Sequence, residues 1–306
     1  GAGSTSNTLA AKELGVPAMG TMAHSWVMAF PTEKESFEAY AELYPDTTTF
    51  LIDTFDTLES GLPNAIEVGK RLAAEGRRFG VRLDSGDIDY LSRKVREKLD
   101  AADLTNALIV VSNELDEEII ETLVAEGAPV DIWGVGTHLV TGGHEASFSG
   151  VYKLAAVERN GVLEPTMKFS DNPDKATNPG VKELYRLHDE SGAAVADVMM
   201  LAGEPVEHGR SATFHHPSLD TRRFSLTPAG EIRALLGKVM EGGRRVGTMP
   251  SLAAVRAHRK EALASIDHTY LRYLNPHIYK VSISGGLRAM KLEFLERYRS
   301  SMHVAG

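Results

Sequence analysis

The chain has 306 residues, 42% hydrophobic and 25% charged, enough material for one large core or two modest ones. It contains no cysteine, which excludes disulfides and zinc–thiolate sites, and its net charge of −9 argues against a general nucleic-acid or membrane-surface binder, whose partners are polyanions. No apolar run approaches the roughly 20 residues that span a bilayer, and the small polar opening Gly1-Ala2-Gly3-Ser4-Thr5-Ser6-Asn7 has nothing of a signal peptide.

In chain order, Ser6 or Asn7 caps a short predicted helix over 8–14 that stops at Gly15, and an extended piece follows over 16–22. Thr32 and Glu35 have capping-box spacing and open a helix over 34–43. Residues 48–53 are β-branched and apolar and read as a buried strand. A helix over 62–75 closes at Gly76, a strand spans 79–84, a helix 88–102 and a strand 107–113. That last strand, Ala-Leu-Ile-Val-Val-Ser-Asn, has no polar alternation, as burial on both faces requires. A helix over 116–126 and a strand over 130–135 complete the series. Strands separated by single helices mean parallel βαβ units, in a β/α barrel or a doubly wound sheet.

From about residue 150 the texture changes. Segments 151–157 and 162–168 flank Asn160-Gly161, a strong hairpin signal, and 184–187 and 194–201 flank an Asp-Glu-Ser-Gly turn. Helices over 251–264 and 286–299, with a strand over 279–284 between them, close the chain.

Four constellations carry chemistry. In Val81-Arg82-Leu83-Asp84-Ser85-Gly86-Asp87, the period of two puts Arg82 and Asp84 on one face of a strand end. An Arg there suits an anionic group and an Asp suits ribose hydroxyls; an ion pair with a helix cap at Asp87 is the alternative. Gly134-Val135-Gly136-Thr137 follows a strand and either brings backbone N–H groups to a phosphate or only turns the chain, with Gly142-Gly143 extending that loop. His24, in the loop Gly20-Thr21-Met22-Ala23-His24-Ser25-Trp26, is a nucleophile or proton carrier if a carboxylate orients it, and Asp53 and Asp56 are the candidates. Lys168-Phe169-Ser170-Asp171 with Lys175 and Lys182 is either functional or a solvated basic loop; His215, His216 and His277 read as structural.

Taken in order, Gly3–Asn7, Gly20–Trp26, Asp53-Thr54-Phe55-Asp56-Thr57, Arg82–Asp87, Ser112-Asn113-Glu114-Leu115-Asp116, Gly134–Thr137, Tyr152-Lys153-Leu154 and the Lys168–Lys182 segment resemble the nicotinate phosphoribosyltransferases, type II phosphoribosyltransferases. The resemblance covers residues 1–200 and continues more loosely to the end. It implies an incomplete β/α barrel over 1–150 carrying the active site, then a C-terminal α+β segment over 151–306 with antiparallel strands. It also implies that the family's N-terminal domain and first barrel strands are missing here. The C-terminal segment, which would pack on that domain, should then expose apolar surface.

The implied reaction joins nicotinate to phosphoribosyl pyrophosphate, with ATP hydrolysis coupled through a phosphorylated histidine that matches His24. By the same resemblance Asp53 orients that imidazole, Arg82 contacts the pyridine ring and Asp84 holds the ribose hydroxyls. Gly134 and Gly136 bind the 5′-phosphate. Thr21, Ser85, Gly86, Asp87, Ser112, Asn113 and Thr137 complete the expected substrate-binding set. Mg²⁺ would bridge the pyrophosphate oxygens. A cytoplasmic homodimer is implied, with no nucleic-acid or membrane partner. A nicotinamide-using enzyme and a non-catalytic phosphoribosyl pyrophosphate-binding homologue are the alternatives. A quinolinate-type enzyme would need more basic groups than the strand ends offer. An aldolase-like barrel would need a Schiff-base lysine, for which only Lys153 is a candidate.

Overall fold

The computed structural model describes residues 2–303 except 143–149, 151, 169–176 and 220. The chain forms two compact units, one from the described residues of 1–157 and 166–177, the other from those of 158–165 and 178–303. The first crossing between them falls seven residues beyond the expected boundary at 150, and residues 166–168 return to the first unit. Of the basic loop singled out above, Phe169 to Lys175 lie outside the described residues, as does Gly143.

The first unit is built on four strands: β1 (Thr49–Leu51), β2 (Gly80–Leu83), β3 (Leu108–Val111) and β4 (Ile132–Trp133). They are parallel and stand in sequence order. One helix joins each pair: α4 (Leu62–Ala74), α5 (Ile88–Ala101) and α6 (Glu117–Ala125). Because such crossovers are right-handed, strands in sequence order put all three helices on one face. That is the arc of a β/α barrel; a doubly wound sheet would reverse its strand order. Phe50, Leu51, Ile52, Val81, Leu83, Ile109 and Val111 are fully buried under Leu62, Val68, Val95 and Leu99 of the helices.

Each strand is shorter than the apolar run that predicts it, because the polar residue at its end leaves the ladder. Ile52 still donates to the Arg82 carbonyl, but Asp53 does not continue the pairing, and Asn113 turns away at φ +99°. Before β1 come α1 (Thr8–Leu14), α2 (His24–Ala29) and α3 (Glu33–Leu43). Asn7 and Thr32 cap α1 and α3 as expected. The extended piece over 16–22 is reduced to a bridge between Thr5 and Ala18. Among the described residues of this unit three elements were not anticipated: α2 itself, a π-turn (Thr57–Gly61) and the short α7 (Thr137–Thr141).

In the second unit, Asn160 and Gly161, both at positive φ, form the turn between β5 (Ala156–Arg159) and β6 (Val162–Pro165). The other strands are β7 (Lys182–His188), β8 (Ala194–Leu201), β9 (Ala212–His215), β10 (Arg223–Leu226), β11 (Ile232–Ala234), the pair β12 (Met240–Glu241) and β13 (Arg244–Arg245), and β14 (Lys280–Ile283). Six of them make a sheet ordered β10-β9-β14-β8-β7-β11, antiparallel except where β14 lies parallel to β8. β8 alternates buried and half-buried residues along its length, as a sheet with one covered face requires. Helix α8 (Leu252–Ala264) buries none of its residues, while α9 (Gly285–His303) sets Leu287 into the core. Leu236, Val239, Met249, Leu252, Tyr273 and Ile278 stand exposed.

Candidate active site

The site lies at the C-terminal ends of β1 to β3, where a parallel β/α sheet leaves its loops open. On β2, Val81 and Leu83 are buried in the core while Arg82 points the other way, so Arg82 and Asp84 share a face. Arg82 is the hub. Its Nε donates to Ser112 Oγ at 2.8 Å, its Nη1 to Thr21 Oγ1 at 2.6 Å and the Met22 carbonyl at 3.1 Å, and its Nη2 to Asp84 Oδ1 at 2.8 Å. Four of its five N–H groups are therefore engaged within the chain, among them the Arg82–Asp84 ion pair that the sequence left open as the alternative, with Asp87 capping the helix that follows.

Asp84 also accepts from Ser112 Oγ, and its Oδ2 lies 3.5 Å from His24 Nε2. Burial alone would raise this carboxyl. His24, Arg82 and Ser112 more than offset that and hold it well below the usual carboxylate range. Asp84 is 27% exposed, so an ionised oxygen remains within reach of a ligand.

His24 is the first residue of α2 and not a loop residue; it is 5% exposed. Its Nδ1 meets Thr54 Oγ1 at 3.0 Å and its Nε2 meets Lys168 Nζ at 2.9 Å. At those lengths the Lys168 contact is the hydrogen bond and Asp84 is a longer electrostatic neighbour. Neither carboxylate expected to orient the ring does so. Asp53, 4% exposed, accepts from Ser85 Oγ at 2.5 Å and the Asp84 backbone N–H at 3.2 Å. Asp56 caps the π-turn through Leu58 and Glu59. Both carboxylates are committed to backbone and hydroxyl donors of their own turns, and it is Thr54, past the end of β1, that is turned toward α2.

The structure thus joins Thr21, Asp53, Arg82, Asp84, Ser85 and Ser112 in one hydrogen-bonded cluster, with His24 beside it as the charge neighbour of Asp84. Gly134 packs at its edge: a Cβ there would touch Ser112 Cβ at 3.4 Å. Gly86, at φ +82°, makes the tight turn, and Asp87 is the N-cap of α5, accepting from Tyr90 N–H. Asn113 stands in a neighbouring strand-end loop, Gly136 is the N-cap of α7 and Thr137 its first residue. Sequence reasoning missed Thr54 and the Met22 carbonyl. Thr54 carries no signal beyond its place beside Asp53. Lys168, left undecided in sequence, joins His24 beside the cluster and is only 4% exposed.

Residues 3–195 match the nicotinate phosphoribosyltransferase (NAPRTase) family model, and 181–291 match the nicotinate phosphoribosyltransferase C-terminal domain. A nicotinate phosphoribosyltransferase of Bacillus subtilis is 36% identical over 301 residues, covering 98% of this chain and 61% of that protein. The human nicotinate phosphoribosyltransferase is 32% identical, covering 94% of this chain and 62% of that protein. A crystal structure of human nicotinic acid phosphoribosyltransferase covers 96% of this chain and 65% of that one, at 28% identity and a TM-score of 0.42. The chain spans about three-fifths of the length of these curated relatives.

Proposed function

The chain belongs to the nicotinate phosphoribosyltransferase family, and from that premise we propose that its site joins nicotinate to phosphoribosyl pyrophosphate, releasing pyrophosphate and forming nicotinate mononucleotide, with ATP hydrolysis coupled through phosphorylation of His24. The observation that carries this reading is the setting of His24. A buried imidazole is held by Thr54 on one side and Lys168 on the other, beside an ionised Asp84. A histidine with this support is oriented for phosphoryl capture, and Lys168 can pass from the ring to the oxygens of the arriving group.

The remaining residues act by position and charge. Asp84 keeps acceptor capacity for ribose hydroxyls, and its negative charge favours an oxocarbenium-like centre nearby. Arg82 fixes Asp84 and Ser112 and retains one N–H for the pyridine ring or its substituent. No protein nucleophile is needed at the sugar. Among the described residues no group of three His, Asp or Glu side chains is arranged to hold a metal. A Mg²⁺ ion would in this reading be carried in on the substrate's phosphates, where it would neutralise charge on the leaving pyrophosphate.

The test is nicotinate mononucleotide formation by the full-length protein, with and without ATP, beside His24→Ala. Stimulation by ATP that disappears in the variant supports the reading; wild-type turnover indifferent to ATP removes the coupling role. One observation favours a neutral base instead: Arg82 has a single uncommitted N–H, fewer than a carboxylate would take from a fork. Competition between nicotinate and nicotinamide separates the two.

A further inference from the structure

Glu33 opens α3, a position where carboxylates usually face water, yet it is 5% exposed. Its Oε2 accepts from Ser60 Oγ at 2.5 Å and from Asn64 Nδ2 at 3.0 Å. Its Oε1 is buried without a partner. Among the described residues no cation pairs with it. The charged groups on the elements packed around it are engaged elsewhere: Glu67 with Lys34 and Arg71 with Glu38 across α3 and α4, and Lys98 of α5 with Glu59. The charges that reach Glu33 are those of Asp56 and Asp53, both of its own sign.

The contact with Ser60 leads to the site. Ser60 lies in the π-turn, whose next residue, Gly61, presses on the backbone of Ile52; a Cβ on Gly61 would stand 1.9 Å from the Ile52 carbonyl oxygen. Ile52 precedes Asp53, and Asp53 holds Ser85 and the Asp84 N–H. Asp53 carries the other buried carboxylate oxygen of this region without a partner, Oδ1. π-Turns are rare and concentrate at functional sites.

We propose that Glu33 is a positioning residue of the His24–Arg82–Asp84 site: a buried, proton-bearing carboxyl that clamps the π-turn behind Asp53 and thereby sets where Asp53 holds the Asp84 turn. The proposal rests on reading that cluster as the active site. A proton removes the cost of an unsolvated charge facing two carboxylates, while the carboxyl still accepts from Ser60 and Asn64. Burial, with Asp56 and Asp53, pushes this carboxyl up to about 7 against the lowering by Ser60 and Asn64. Loss of the proton then places a third negative charge behind Asp53 and loosens the clamp.

The test compares the full chain with Glu33→Gln, which is neutral at every pH and keeps the shape, and Glu33→Ala, which removes the clamp. Wild-type kcat should fall roughly fivefold between about pH 6 and about pH 8 while KM changes little, and Glu33→Gln should lose that step. Glu33→Ala should lose about tenfold or more at every pH. Two further readouts do not need turnover. The infrared carbonyl stretch of a protonated carboxyl should fade with a midpoint near 7 in wild type and be absent in Glu33→Gln. The backbone amide resonance of Asp84, which donates to Asp53, should track the same step in wild type only. Superimposable kcat profiles, a carboxyl band that survives in Glu33→Gln, or an Asp84 amide that ignores the step would each overturn the proposal. A wild type without nicotinate turnover would defeat the reaction assigned above, and the infrared and amide readouts would still decide the role of Glu33.

Discussion

Thr54 Oγ1 stands 3.0 Å from His24 Nδ1, and Asp53, one residue earlier, makes no hydrogen bond to the ring but holds the Ser85 hydroxyl and the Asp84 backbone. The imidazole is thus oriented by a neutral hydroxyl, and the adjacent carboxylate shapes the turn that carries Asp84.

This division of labour predicts distinct phenotypes. Thr54→Val leaves a buried ring nitrogen without a partner, a cost of about 1–3 kcal/mol. ATP-dependent phosphorylation of the protein should drop by roughly tenfold or more, whereas Thr54→Ser should stay within about threefold of wild type. Incorporation of radiolabelled phosphate from ATP measures both. Equal losses in the two variants would remove the hydroxyl from the account.

Arg82→Lys keeps the charge but cannot reach Ser112, Thr21 and Asp84 together. The folded-state pKa of Asp84 is depressed, so its contribution to stability is present above its ordinary value of 3.8 and is lost as pH falls through the folded one. With the fork gone, Asp84 should protonate at higher pH. The acid limb of kcat/KM should move up by about one pH unit. An acid limb that stays in place would show that Asp84 is not held down by Arg82.

Gly61→Ala tests the close approach behind Asp53. The added methyl would meet the Ile52 carbonyl at 1.9 Å, and both partners are backbone, so neither can rotate aside. A loss of about 2 kcal/mol or more is expected, read as a lower urea midpoint with an unchanged slope.

Glu33 predicts a stability trend of opposite sign to that of Asp84. Its folded pKa is raised from 4.5 to about 7, so the folded state binds the extra proton. Its favourable contribution is full below 4.5 and is lost as pH rises through about 7. Glu33→Gln should therefore gain on wild type as pH rises, by about 1–3 kcal/mol at about pH 8. Thermal melts of the two proteins across that range check it; a constant difference in Tm would show that Glu33 carries no proton when folded.

Much of this was legible in the sequence because the signals are local. Asn7, Thr32 and Asp87 cap helices from within their own first turns. Asn160-Gly161 demands positive φ at both positions, and the structure has it. Arg82 and Asp84 share a face because a strand alternates. In the first unit the strand ends were overrun by one or two residues, since apolar composition does not register where a backbone leaves its ladder.

The sequence by itself determined the succession of parallel βα units, the later antiparallel hairpins and the family motifs, since periodicity, capping and turn chemistry act within a few residues. Only the tertiary structure decided which groups meet. It put Thr54 and not Asp53 on His24, brought Lys168 across 144 positions to the same ring and engaged the Arg82 fork within the chain. It also buried Glu33, a residue that local rules would leave in water, because α4 and the π-turn close over it. Hydrogen bonds between groups tens of residues apart depend on distances set by packing, and no local pattern encodes a distance.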